Sequence, residues 1–262
     1  MPRLEPGLLR VVTDLELGLR ALGVPFAVIG ALVPDLLLES RPARMTNDAD
    51  VAVSVRSRAA FDTLKDRLAD FGFVPTRASH RLQHHTGGLV DVLPFSRDIA
   101  PGGLLELQPD LVLNMAGFKH VVPSAVPITI DDGPTLPVIP LPLYAVLKLV
   151  AFSDRKAAKD LAGVFHCLCH YLEHDERRYD AEHDGAGVPF EYTGAYLLGR
   201  DGRPFVDALV AQALESVLGR FVDADAGGVS IVLGEHGRMA VEGNVRAEIC
   251  EAFQWYGRGI GL

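Results

Sequence analysis

The sequence has few cysteines and no long apolar run, and each shortage excludes a class of protein. Three cysteines in 262 residues, Cys167, Cys169 and Cys250, cannot form a disulfide framework, so we expect a reducing compartment. The most apolar stretch, residues 141–152, contains Lys148 and is far shorter than the roughly 20 apolar residues of a membrane-spanning helix. The first ten residues lack the pattern of a signal peptide. We therefore expect a soluble, cytoplasmic protein with no membrane partner.

The chain also lacks an excess of basic over acidic residues. The chain carries 25 Lys and Arg against 34 Asp and Glu, a net charge of −9. This balance excludes a protein that coats nucleic acid or an anionic membrane through its global charge. Residues 41–97 nevertheless hold nine basic and six acidic side chains, a local charge of +3 that would suit the end of an RNA, although scattered surface arginines give the same count.

The spacing of apolar residues in the first half predicts an α/β arrangement with a sheet of mixed direction. Period-three-to-four and period-two patterns, with their turn residues, predict elements in this order: a helix over 8–22, a strand at 26–29, a helix over 31–39, a strand at 48–55, a helix over 58–70 capped by Ser57, a hairpin over 77–95 turning at 87–88, and short strands at 121–122, 126–130 and 136–139.

Beyond residue 142 the pattern becomes helical. Helices are predicted at 143–153, 157–172, 191–198, 205–218 and 239–255. We therefore predict two domains, an α/β (α+β) mixed-sheet domain over 1–140 and a helical domain over 141–262.

Three acids lie where a buried sheet would not normally hold them. Asp48 and Asp50 are one residue apart at the head of a predicted strand, so their side chains share a face, with backbones about 6–7 Å apart. Asp91 lies within the second apolar strand of the hairpin. If the two strands are adjacent, the carboxylates converge on an all-oxygen site suited to Mg²⁺. The alternative is a solvated strand end with ordinary surface acids.

The predicted strand at 26–29 runs into Gly30 and Ala31 ahead of a helix. Small residues at such a turn let backbone amides approach an anion, although a tight turn alone would need the same residues. A phosphate cradle beside magnesium-binding acids indicates chemistry on a nucleoside triphosphate (NTP), in which an incoming oxygen displaces pyrophosphate.

This ordered set of residues resembles the signature of the nucleotidyltransferase superfamily, the polymerase β-like fold. The matching pieces are Val28-Ile29-Gly30-Ala31, Asp48-Ala49-Asp50 and Val90-Asp91-Val92. A second block is similar to the helix pair of the AbiEii/AbiGii toxin family within that superfamily. It comprises Leu147 to Arg155, then Lys159-Asp160-Leu161, with further pieces at Asn114-Met115-x-Gly117-Phe118 and at Tyr192-x-Gly194 to Gly199.

The resemblance implies a nucleotidyltransferase fold and a role for each matching residue. Asp48 and Asp50 would hold Mg²⁺ or Mn²⁺, with Asp91 as a third ligand or the catalytic base. Gly30 and Ala31 would cradle phosphate, and Lys148, Arg155 and Lys159 would neutralise the triphosphate. The spacing of the three cations predicts that they share about one helix face, and Asp160 would orient a basic neighbour.

The same resemblance implies transfer of a nucleoside monophosphate (NMP) to the hydroxyl of an acceptor, a tRNA 3′ end or another RNA. The setting would be a toxin–antitoxin or phage-defence system with a cognate antitoxin. The alternative is a catalytically silent module of the same fold that binds a nucleotide or a partner.

Three features depart from the pattern of the nucleotidyltransferase family. Each either supports the catalytically silent alternative or leaves the role of a residue open. Ala31 replaces the usual Ser or Gly and lacks its hydroxyl. Gly163 stands where an acid often follows the Lys-Asp pair. The 16-residue loop before Asp48 carries Arg41, Arg44 and Thr46, which would meet substrate.

The histidines suggest two further sites. His166, His170 and His174 recur every four residues, a spacing that can chelate zinc in pairs, although three collinear positions span about 12 Å and favour a partly buried helix face. His84 and His85 precede Asp91 in the hairpin and are candidates for lining the substrate cleft.

Overall fold

The computed structural model describes residues 2–40, 48–108, 111–180, 186–236 and 245–262. The chain divides into two compact units, Met1–Pro140 and Leu141–Leu262. Arg41, Arg44 and Thr46 lie outside the described residues. Over the described ranges, no helix is both long and apolar enough to cross a membrane.

The first unit alternates helices and strands. Its helices are α1 (Pro6–Ala21), α2 (Leu32–Leu37), α3 (Arg58–Leu68) and α4 (Val121–Ser124). Its strands are β1 (Phe26–Ile29), β2 (Asp48–Ser54), β3 (Phe73–Pro75), β4 (Arg81–His84), β5 (Leu89–Phe95), β6 (Leu104–Gln108), β7 (Leu111–Asn114), β8 (Val126–Thr129) and β9 (Thr135–Val138).

Seven of these strands form one sheet in the order β3-β4-β5-β2-β1-β9-β8. The pairs β2–β5 and β1–β9 are parallel, and the other neighbours are antiparallel. Strands β6 and β7 pair separately. The predicted fold class, a mixed α/β sheet followed by helices, is confirmed.

Burial explains why the central strands form where they do. All four residues of β1 are buried, as expected for a short apolar strand flanked on both sides by β2 and β9. Helix α1 buries its Leu and Val stripe, and Gly18 on that helix lies against Leu68 and Phe71. Ser57 caps the N-terminus of α3, and its hydroxyl accepts a hydrogen bond from Ala60 N at 3.1 Å.

Two predicted elements of this unit are wrong or shorter than expected. Residues 121–122 are not a strand but begin α4, because Pro123 cannot donate to a sheet and the Ser124 hydroxyl donates back to His120 O at 2.6 Å. The helix predicted over residues 31–39 is the six-residue α2. The β6–β7 pair was not predicted; its Leu105 and Leu107 pack with Met115 in a small separate core.

The second unit consists of helices α5 (Leu141–Arg155), α6 (Ala158–His170), α7 (Thr193–Gly202), α8 (Ala208–Leu218), α9 (Gly227–His236) and α10 (Val245–Ile260). Helix α6 ends before the predicted residue 172, because Tyr171 is extended with a ψ of 126° and Leu172 then takes the left-handed φ of +54°. The start predicted at residue 239 lies outside the described residues, and α9 was not predicted.

Helices α7 and α10 pack with their backbones in close approach. A β-carbon at Gly199 would lie 2.8 Å from Ile260 N, and one at Gly259 would lie 2.9 Å from the carbonyl carbon of Tyr196. Both distances are too short for any real side chain. The two glycines therefore let these helices pack more closely than side chains would allow.

Candidate active site

Asp48, Asp50 and Asp91 lie on one face of two adjacent strands. Asp50 stands directly opposite Asp91 in the parallel ladder of β2 and β5, and opposite Ile29 of β1 on its other side. Hydrogen-bonded strands are about 4.8 Å apart, so Asp50 and Asp91 are close neighbours. Asp48 precedes Asp50 by two residues and shares its face. The adjacency on which the predicted acidic cluster depends is therefore present.

Gly30 brings the backbone of the turn after β1 against Asp50. Its φ is +73°, and a β-carbon added there would lie 2.7 Å from Asp50 Cβ and collide with the carboxylate. Only glycine meets both demands, the left-handed backbone and the missing side chain. Ala31 follows as the N-cap residue of α2 without a side-chain cap. Because α2 has only six residues, backbone amides rather than a helix dipole would have to bind an anion here.

Arg81 binds Asp91 and was missed in the sequence. Its Nε and one terminal nitrogen donate to the two carboxylate oxygens of Asp91 at 2.6 and 2.7 Å, a bidentate pair. The two residues also stand opposite each other in the β4–β5 ladder. The hydrogen bond to Asp91 raises the pKa of Arg81, and the charges of Asp48 and Asp50 act in the same direction. Arg81 therefore lies within the field of all three acids.

His80, the residue before Arg81, also lies near the carboxylate of Asp91. Its Nε2 lies 3.9 Å from Asp91 Oδ1. Burial lowers the pKa of His80 below its usual value, against the charge of Asp91, which acts to raise it. His80 is therefore largely neutral at pH 7, and Arg81 supplies the positive charge beside Asp91.

His84, a candidate for lining the substrate cleft, does not line this site. It follows Arg81 by three residues, so its side chain points to the other face of β4. There it is buried against Phe73, with Nε2 3.1 Å from Asp14 Oδ2 of α1. Its role is in the packing of α1 onto the sheet.

The fit of a divalent ion to the acids is partial. Carboxylate oxygens are the ligands that Mg²⁺ and Mn²⁺ prefer, and Asp48 and Asp50 present theirs on one face. Asp91, however, directs both oxygens at Arg81. In the part of the chain that the structure describes, no three His, Cys, Asp or Glu side chains are arranged to hold a metal ion. The described residues therefore do not form a three-carboxylate metal centre in this conformation.

The predicted triphosphate-binding cations lie in the second unit, and two of them contact one acid. Lys148 Nζ donates to Asp160 Oδ1 at 3.1 Å, and Arg155 donates to both oxygens at 2.6 and 2.7 Å. Asp160 is fully buried. Burial alone would raise the pKa of Asp160, but the hydrogen bond from Arg155 and the charge of Lys148 outweigh it, and the pKa is lowered.

Lys159 does not continue the face of Lys148 and Arg155, so that prediction is wrong. Helix α5 ends at Arg155, Lys156 takes a φ of +53°, and Lys159 is exposed on the first turn of α6. Gly163, one turn further, faces Tyr144, whose hydroxyl would lie 2.5 Å from a β-carbon at that position. An acid at position 163 would therefore have to displace Tyr144.

The histidines of α6 do not form the predicted row. His166 and His170 have ring centroids 4.6 Å apart, but α6 ends at His170 and His174 lies beyond it. His170 Nδ1 pairs instead with Glu173 at 2.9 Å. The geometry favours a helix face over a zinc site.

Comparison with known proteins gives matches in structure alone. No family model matches the chain, and neither does any curated protein. One similar solved structure is an antigenic nucleotidyltransferase-like protein from Paracoccidioides brasiliensis, with 19% identity and a TM-score of 0.40 over 63% of this chain and 76% of that one. Another is the CdnE cyclic dinucleotide synthase of Elizabethkingia meningoseptica with GTP and Apcpp, with 12% identity and a TM-score of 0.33 over 100% and 96%. Likenesses this distant carry no argument about activity.

Proposed function

We propose that the chain is a nucleotidyltransferase that transfers NMP from an NTP to an acceptor hydroxyl. The observation that carries the proposal is the contact of the Gly30 turn with Asp50, on the strand face that also holds Asp48 and Asp91. The missing β-carbon lets the Asp50 carboxylate lie against this turn, and the backbone amides of a glycine turn are groups that can bind a phosphate. Acids beside that turn suit a reaction in which a triphosphate is held close to a divalent ion.

Each residue of this site has a distinct task in the proposed reaction. The amides after Gly30 hold the phosphates, and Asp48 and Asp50 would hold Mg²⁺ or Mn²⁺. The divalent ion, when bound, would polarise the phosphates and favour departure of pyrophosphate. The acceptor oxygen bonds to the α-phosphorus as the bond to pyrophosphate breaks. Asp91, oriented by the two hydrogen bonds from Arg81, is the candidate to accept the proton of the acceptor hydroxyl.

The finer assignment is to the AbiEii/AbiGii toxin family, with a tRNA 3′ end or other RNA as acceptor and a cognate antitoxin as partner. It is supported by the sequence blocks around Lys148 and Asp160. Asp160 contacts Lys148 and Arg155, which supports its predicted task of orienting basic neighbours. In this assignment Lys148, Arg155 and Lys159 neutralise the triphosphate.

The test of the proposal is incubation of the purified protein with each labelled NTP, Mg²⁺ and total tRNA or total RNA. We expect the label to enter RNA with one NTP preferred. Asp48→Ala should abolish the transfer, because the metal-facing carboxylate is lost. Absence of transfer by the wild type, or equal transfer by Asp48→Ala, would overturn the proposal.

A second candidate function is a silent module that binds a nucleotide without reacting. It is favoured by the bidentate engagement of Asp91 by Arg81 and by the missing hydroxyl at Ala31. In that case an NTP should raise the midpoint of thermal unfolding while no pyrophosphate forms. Measurable pyrophosphate release would reject this candidate.

A further inference from the structure

We propose that an exposed aromatic pair in the second unit, Tyr179 and Phe190, is a docking surface for a basic segment of a partner polypeptide. The proposed reaction uses neither residue. The inference therefore goes beyond the proposed function and does not depend on it.

The two rings are exposed and touch each other. Tyr179 is 74% exposed and Phe190 is 53% exposed, and their ring centroids are 5.2 Å apart. Of the large apolar side chains that are exposed in the described parts of the chain, these two alone are aromatic. Single exposed apolar residues are common and need no explanation, but adjacent exposed aromatic rings are typical of the centre of a protein interface.

Local structure holds the pair at the surface. Tyr179 ends the 3₁₀ turn Glu176–Tyr179, and Phe190 begins the 3₁₀ turn Phe190–Tyr192. The buried guanidinium of Arg178 lies 5.3 Å from the centroid of the Phe190 ring and donates to Phe190 O at 3.4 Å. Phe190 thus packs on a guanidinium of its own chain, and the exposed part of the pair can take a cation from another molecule.

The charge around the pair indicates which partner fits. The described parts of residues 173–192 hold two arginines, one buried and the other paired with Asp201 at 2.9 Å. Residues three apart in a 3₁₀ turn lie on the same side, so Glu176 lies beside Tyr179, and Glu191 directly follows Phe190. The acids of this segment number five: Glu173, Asp175, Glu176, Asp180 and Glu191.

The acidic surroundings extend to helix α10. Burial raises the pKa of Tyr192, and the charges of Glu251, Glu191 and Glu248 raise it further, to about 12. A surface of this sign repels RNA and a second copy of itself, and it attracts Lys and Arg side chains. Arginine fits best, because a guanidinium both stacks on an aromatic ring and forms paired hydrogen bonds with a carboxylate.

A matched pair of double variants tests the docking surface in the full chain. The probe is a short fluorescein-labelled peptide of alternating Arg and Gly, and its binding is followed by fluorescence anisotropy at about 0.15 M salt. The aromatic variant is Tyr179→Ser with Phe190→Ser. The control is Leu209→Ser with Val222→Ser, which removes two apolar side chains of the same unit that are 50% and 68% exposed.

We expect the wild type and the control to bind the peptide equally, and the aromatic variant to bind about tenfold more weakly, the loss expected for two cation–π contacts. Thermal unfolding verifies that each variant is folded, and Tyr179→Ser alone serves if the double variant is not. Equal binding by the aromatic variant and the wild type would mean that the peptide responds only to the net charge of −9. That result would overturn the inference, and so would absence of binding by the wild type.

A labelled single-stranded oligouridylate is the second probe. We expect any binding of this RNA to be the same in the wild type and the aromatic variant, because acids surround the two rings. Binding that is lost in the aromatic variant would make the pair a stacking platform for RNA bases and would overturn the proposal of a polypeptide partner.

Discussion

At the scale of single residues, Gly30 lies where the backbone must turn left-handed against Asp50. Gly30→Ala should unfold more easily by about 1 kcal/mol from backbone strain alone. Its methyl group should also push the Asp50 carboxylate away and remove the rise in unfolding temperature that we expect from an NTP with Mg²⁺.

Gly23→Ala is the matched control for this prediction. Gly23 has a similar φ of +66°, but nothing lies within 4 Å of an added β-carbon. We expect a comparable loss of stability and an intact response to NTP. Loss of the response in both variants would mean that backbone strain, and not the contact with Asp50, is responsible.

Replacement of Asp160 tests whether its contacts with Lys148 and Arg155 stabilise the fold. Asp160→Asn leaves Lys148 and Arg155 without their shared anion, which should cost about 3 kcal/mol, the lower end for a buried pair because Arg155 is 49% exposed. Urea unfolding of Asp160→Asn beside exposed Asp154→Asn measures this difference. Equal stability of the two variants would show that the three-residue cluster is not stabilising.

The stability difference between the wild type and Asp160→Asn should depend on pH, and the pKa shift of Asp160 gives the direction. The pKa of Asp160 is lower in the folded protein than in the unfolded chain, where it is about 3.9. The stabilisation is therefore complete above the unfolded value and is lost as the pH falls through the folded value. We expect the gap between wild type and Asp160→Asn to be constant from pH 7 to pH 5 and to shrink below about pH 4.

At the scale of elements, the register of the β4–β5 hairpin decides which residue meets Asp91. A two-residue turn at Gly87 and Gly88 would pair His84 with Asp91. The hairpin instead closes with His84 N donating to Gly88 O at 2.8 Å, a loop over residues 85–87 that pairs Arg81 with Asp91. This shift by an odd number of residues turns the opposite face of β4 toward the acids.

Alanine substitution should change the free energy of unfolding in opposite directions at two helical glycines, because only Gly199 lies at the close contact of α7 and α10. Alanine at an exposed helical glycine normally stabilises by about 0.5–1 kcal/mol, and we expect this for Gly234→Ala in α9, where nothing lies within 4 Å. Gly199→Ala should instead destabilise by about 1–3 kcal/mol, because its β-carbon would meet the backbone of α10. Urea unfolding of both variants measures the signs; stabilisation by Gly199→Ala would contradict the close approach.

Local patterns predicted most of the elements, and long-range packing decided the rest. The apolar period and caps were enough for α1, β1, β2 and α3, each of which is present near its predicted bounds. Residues 121–122 are β-branched but helical, since Pro123 and the packing of Val121 against the sheet override strand propensity. The contacts at Gly199 and Gly163 involve residues distant in sequence, which no local pattern encodes.

At the scale of the whole molecule, the candidate site was only partly predictable. Spacing placed Asp48 and Asp50 on one face, and alternation placed Asp91 in a second strand. That Arg81 engages Asp91, and that Lys148 and Arg155 share Asp160, follows from register and helix ends. In a chain of net charge −9, Asp91 and Asp160 are thus each matched by nearby guanidinium or ammonium groups.

The most direct test of the central claim is pyrophosphate release from NTPs in the presence of Mg²⁺ and total RNA, by wild type, Asp50→Asn and the exposed control Asp98→Asn. The account predicts release by the wild type and by Asp98→Asn, and a loss of about 100-fold or more in Asp50→Asn, because the metal-facing carboxylate beside Gly30 is gone. No release by the wild type, or undiminished release by Asp50→Asn, would contradict it.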